Sequence, residues 1–152
     1  MTLIELLITN KDEIISGANA ALSRSELTHY KSSGSEQNKQ RLQLLYGLAL
    51  QCIQNKTLLP MLDYVKKIAH ERFQLGFDLY EVQTAFNVLE EIIWKKIIEE
   101  LAPAEFADAL GMVSTVFGAG KDTLATTYVS LASKVKTSSL DYKALFAGTD
   151  GI

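Results

Sequence analysis

The stretch Arg72-Phe73-Gln74-Leu75-Gly76-Phe77-Asp78-Leu79-Tyr80-Glu81-Val82 constrains the fold of this chain more than any other. A glycine takes the left-handed backbone that ends a helix. Asp78, three residues before Glu81, can close a capping box behind which a new helix begins. From Leu79 the apolar residues recur as Val82, Phe86, Leu89, Ile93 and Ile97, in the steps of three and four of a helix with one buried face. The stretch therefore predicts a helix that stops at Gly76 and a long helix from Asp78 to Leu101, with Gly76 and Asp78 as a hinge between them.

The same periodicity runs through the rest of the chain. Leu3, Leu6, Leu7, Ile14, Ile15, Ala18 and Leu22 mark a first helical segment over residues 2–24, which Asn10 and Glu13 can break and recap. Lys31-Ser32-Ser33-Gly34-Ser35 reads as a loop. A second helix is predicted over 36–54 and a third over 58–75, and Pro103 opens a fifth, very long one. Gly118 and Gly120 lie inside that last helix, where each costs about 1 kcal/mol relative to alanine. The apolar period continues across them in register, so close approach of another helix accounts for them better than a kink. The pattern breaks after Lys136, leaving residues 1–136 as the helical domain and 137–152 as a flexible tail. In that tail Leu140, Tyr142, Leu145 and Phe146 form an amphipathic turn able to dock on a partner. Alternating strand patterns are absent, and the reading is an all-α bundle of about five to seven helices.

Composition narrows the function classes. A net charge of −3 with basic residues scattered among acids leaves no face for nucleic acid. Apolar runs are too short to span a bilayer, so no membrane insertion is expected. Residues 2–9 carry Glu5 and lack a basic start, unlike a secretory leader. The single cysteine, Cys52, excludes an internal disulfide, fits a reducing cytoplasm and reads as a small buried hydrophobe.

Several motifs come close to chemistry without reaching it. Gly118-Ala119-Gly120-Lys121-Asp122-Thr123 resembles part of a phosphate loop, but the motif needs glycine at 115 and a hydroxyl at 122, where this chain has Thr115 and Asp122. His29 and His70 stand apart, without metal-ligand spacing. Glu90-Glu91 and Glu99-Glu100 are neighbours that diverge by roughly 100° on a helix. Glu91 and Lys95 suit a solvated ion pair instead. No catalytic constellation and no metal site is predicted. Trp94, Ile98 and Leu101 form a second apolar stripe, which fits either a subunit interface or a central helix covered on both sides.

Asn10-Lys11-Asp12-Glu13-Ile14-Ile15, Gln74-Leu75-Gly76-Phe77-Asp78-Leu79 and the following Trp94 resemble the N-terminal sensory domain of RsbR-type stressosome proteins, and more closely the RsbRD N-terminal domain family. The likeness covers roughly residues 3–135. It implies a globin-like fold without haem, commonly dimeric, acting as a stress-response sensor or docking module that signals by conformational change on binding a small ligand or a protein partner. Members usually carry a C-terminal STAS domain, which these 152 residues lack, so the output role is not carried over. Similar sensor globins place a ligating histidine four residues before the equivalent glycine, and here that position is Arg72. No cofactor is therefore expected. The alternative is a carrier for haem or a small apolar ligand, with His70 as the axial ligand.

Overall fold

Apolar side chains at helical spacing cannot be buried by one helix alone, and the chain solves this by folding its helices around one another. The computed structural model describes residues 1–138. Seven helices lie among them: α1 (Leu3–Thr9), α2 (Lys11–Arg24), α3 (Thr28–Ser33), α4 (Ser35–Asn55), α5 (Leu59–Gln74), α6 (Leu79–Glu100) and, after a 3-10 turn at Pro103–Glu105, α7 (Phe106–Ser138). No strand occurs among the described residues, so the predicted all-α bundle is the architecture observed. None of these helices is long and apolar enough to cross a membrane.

Two local readings are corrected. The first helical segment breaks at Asn10 as read, but the Asn10 side chain makes no N-cap bond for α2; its Nδ2 donates backward to the Leu6 carbonyl at 3.1 Å and closes α1. The predicted loop over residues 31–35 is largely helical. Ser32 and Ser33 return their hydroxyls to the carbonyls of Thr28 and His29 at 3.0 and 2.8 Å, and Asn38 Nδ2 donates to the Tyr30 carbonyl at 2.7 Å. Only Gly34, at φ +84°, separates α3 from α4.

α7 packs along α5 and α6, and α2 covers α6 and α4. Their shared interior holds Ile14, Ile15, Tyr46, Met61, Phe86 and Phe117, and burial of each isoleucine, methionine and phenylalanine among them contributes roughly 1.5–3 kcal/mol. The buried Tyr46 hydroxyl donates to the Leu7 carbonyl at 2.7 Å and fastens α4 to α1. Gly120 sits where α7 meets α5 and α6: a Cβ there would lie 3.2 Å from Met61 Sδ and from Phe86 Cε2. Gly118 meets nothing within 4 Å. The close-approach reading thus holds for Gly120, whereas at Gly118 no described residue comes close.

Candidate functional site: a buried arginine cluster and an open cleft

The α5–α6 junction is built as the sequence directs. Gly76 adopts φ +86°, its N–H reaches the Phe73 carbonyl at 3.1 Å, and the Phe77 N–H reaches the Arg72 carbonyl at 2.9 Å. That pair of bonds is a Schellman closure. The capping box forms at the start of α6, with Glu81 Oε2 accepting from the Asp78 N–H at 2.9 Å. Glu81 does more than cap. It is buried and also accepts from the His29 N–H at 2.9 Å and from His29 Nδ1 at 2.7 Å, holding α3 to α6. Burial pushes its carboxyl upward, but these hydrogen bonds outweigh it and hold the group below the usual glutamate range.

Beside this strap lies a cationic cluster. Arg72 interrupts the apolar stripe of α5 formed by Met61, Val65, Ile68 and Ala69, and is itself only 4% exposed. Its Nη1 donates to the Tyr30 hydroxyl at 3.2 Å, while its Nε has no hydrogen-bond partner. Arg41 donates from Nη1 to Ser33 Oγ at 2.9 Å. The Phe77 ring stacks with both guanidinium groups, 5.3 Å from Arg41 Cζ and 5.6 Å from Arg72 Cζ. Desolvation and then the charge of Arg72 lower the pKa of Arg41. Burial raises the phenols of Tyr30 and Tyr64, against the pull of Arg72 on each.

A larger opening lies between the α4–α5 turn and α7. This cleft encloses about 600 Å³, within the range of small-molecule sites. Ile53, Leu58, Met112 and Val116 supply apolar walls, and Lys56, Asp108 and Thr115 bring polar groups. Cys52 lines it too and is buried as predicted. Desolvation pushes its thiol up, countered in part by a backbone hydrogen bond at Met61, so the reactive thiolate is disfavoured.

The predicted residues divide clearly. Trp94 and Ile98 are 41% and 57% exposed, so the described chain leaves much of that stripe open. Leu101 is a correction: it is 6% exposed and lies in the core. It sits at the C-cap of α6 with ψ 156°, where the backbone has left the helix and the helical period no longer predicts its direction. Leu140, Tyr142, Leu145 and Phe146 lie outside the described residues. His70 is exposed on α5, and its Nδ1–H donates to the Lys66 carbonyl at 2.8 Å. It lines neither the cleft nor the arginine-bounded cavity, and the residue one turn before Gly76 is Arg72, a guanidinium bonded to Tyr30, so these residues do not fit haem ligation. The phosphate-loop-like segment is continuous α7, with its amides engaged in the helix. Among the described residues no group of metal-ligating side chains gathers. Glu90 and Glu91 point apart as expected, Glu90 to Lys121 at 2.9 Å and Glu91 to Lys95 at 3.1 Å.

Sequence reasoning missed the Arg72–Tyr30 and His29–Glu81 pairs. The available signal was a charged residue at the apolar positions of α5 and α6. Compared with family models, curated proteins and solved structures, the chain matches none of them.

Proposed function

We propose that this chain is a non-enzymatic sensory or adaptor domain of the type that the RsbRD N-terminal family represents, globin-like, free of haem, cytoplasmic and homodimeric. The observation that carries the reading is the position of α7. One helix borders the cleft through Asp108, Gly111, Met112 and Thr115, and is tied to α6 by Lys121 Nζ, which donates to Asn87 Oδ1 at 3.0 Å and to Glu90 Oε1 at 2.9 Å. α6 in turn presents Trp94 and Ile98 outward.

A small, mostly apolar ligand with a polar end fits the cleft walls, its polar end meeting Lys56 or Asp108. A ligand that favours one setting of α7 over another shifts the population between them. The junction at Gly76 and Asp78 is then the hinge about which α5 and α6 adjust, and the α6–α7 face reads the change out to a second copy or to a signalling partner. Mass spectrometry of small molecules extracted from the purified protein, alongside Thr115→Trp, tests the reading. Thr115 is exposed, so the variant should keep its helicity while losing the bound molecule. Equal retention by the variant would move the ligand elsewhere, and an unchanged amide-exchange pattern along α7 upon binding would end the signalling role.

A further inference from the structure

Two residues of the open cleft depart from local preference. Lys56 follows the last turn of α4 in the left-handed region, at φ +50°, a position where glycine carries no steric cost and lysine does. Gly111 lies within α7, where alanine is the better helix former, and a Cβ there would meet nothing within 4 Å. No packing among the described residues requires that glycine. Both residues line the same cleft, which accounts for them together: the lysine supplies a cation and the glycine leaves room. Departures of this kind gather at functional sites. Asp108 lines the cleft as well. Neither it nor Lys56 makes an ion pair among the described residues, with each other or with any other group. Both are exposed, whereas Cys52, Ile53 and Val116 in the same lining are buried. The charges therefore belong to the mouth of the cleft and the apolar surface to its inner wall.

We propose that the ligand of this cleft is a free α-amino acid with an apolar side chain. Its carboxylate meets Lys56, its ammonium meets Asp108, and its side chain lies among Ile53, Leu58, Met112 and Val116. The inference rests on the cleft being the ligand site of the sensory domain and narrows the class of that ligand. A fatty acid answers the lysine but brings a second negative charge beside Asp108, and a simple amine does the reverse with Lys56. An α-amino acid carries both signs on neighbouring groups at one end, with the rest of the molecule apolar, which is the pattern of mouth and inner wall. The cleft, at about 600 Å³, has the size of a small-molecule site. Pairs this exposed are screened by water, so the two charges confer selectivity more than affinity, and apolar burial contributes the rest.

The test titrates the isotope-labelled full chain with L-leucine and with its two truncated analogues, isocaproate, which lacks the ammonium, and isoamylamine, which lacks the carboxylate. Amide shifts should map to the cleft, and L-leucine should bind about threefold tighter than either analogue, the gain expected of one exposed ion pair. Asp108→Asn should abolish the preference over isocaproate, and Lys56→Gly the preference over isoamylamine. Lys56→Gly should also raise the thermal midpoint by relieving the left-handed backbone, so that stability rises while binding falls. Gly111→Met should keep α7 helical and weaken L-leucine roughly tenfold by filling the cleft. An analogue that binds as tightly as L-leucine overturns the proposal and leaves the cleft a site for an apolar or singly charged ligand. Binding by none of the three overturns it too, while extraction from Thr115→Trp still decides whether the cleft holds another molecule. Preferences that survive both charge variants overturn it by placing the ligand elsewhere. L-leucine bound with the expected preferences supports it even where amide exchange along α7 stays unchanged, a result that ends the signalling role alone.

Discussion

Glu81 is the residue on which the α5–α6 junction turns, because one carboxylate serves the Asp78 amide, the His29 amide and the His29 ring. Replacing it with glutamine presents an NH2 group to donors, which should lower stability by about 1–3 kcal/mol, read as a urea midpoint at pH 7. The pH dependence follows from the direction of its shift. Because the folded-state pKa is depressed, the stabilisation is complete above the unfolded glutamate value near 4.3 and is lost as pH falls through the lower folded value. The gap in midpoint between wild type and Glu81→Gln should therefore stay constant through the neutral range and narrow in acid. Gly76 answers to a different force. At φ +86°, with His29 Nε2 3.3 Å from where a Cβ would stand, Gly76→Ala should cost about 1–2 kcal/mol of backbone strain, measurable in the same denaturation series.

Among the elements, α7 separates two glycines that look alike in sequence. Gly118→Ala should stabilise the monomer by up to about 1 kcal/mol, since it gains helix propensity in open space. Gly120→Ala should destabilise it, because the new methyl meets the fully buried Met61 and Phe86 at 3.2 Å. Thermal unfolding of the two variants decides both signs. What was legible in the sequence follows the same division. The long helices announced themselves because burial follows periodicity, and the α6 stripe from Val82 to Ile97 is buried as read. α3 did not, since it has six residues and buries only Tyr30, leaving no period to detect. The arginine cluster was hidden for another reason: Tyr30 and Arg72 are separated by 42 positions and His29 and Glu81 by 52, and no local pattern encodes which distant side chains meet.

For the whole molecule, the unanswered surface is the outward side of α6 and α7. Tyr80, Asn87 and Trp94 recur every seven residues, with Ile98 one turn further on, and all four are exposed. They share one face of α6, beside which α7 contributes Ser114, Gly118 and Ala125 around the Lys121 link. A second copy docked across a twofold axis, the symmetry of most homodimers, would bring large side chains of one protomer against small ones of the other, as the homodimer proposed above requires. Gly118, costly to its helix and with no described residue within 4 Å of where a Cβ would stand, gains a reason if a partner helix approaches there. On α7 that strip lies only roughly 60–100° around the helix from Thr115 at the cleft, so a ligand that rolls α7 would change both surfaces together. Trp94→Ala should then weaken association more than tenfold, as loss of an aromatic anchor does. Ile98→Asp should do so at least as strongly by placing a charge in the interface, and neither change should disturb helicity, because both side chains face outward. Sedimentation velocity at micromolar concentration measures this directly. A wild-type monomer, or a dimer that both variants leave intact, would remove this face from self-association and leave Gly118 without a structural role.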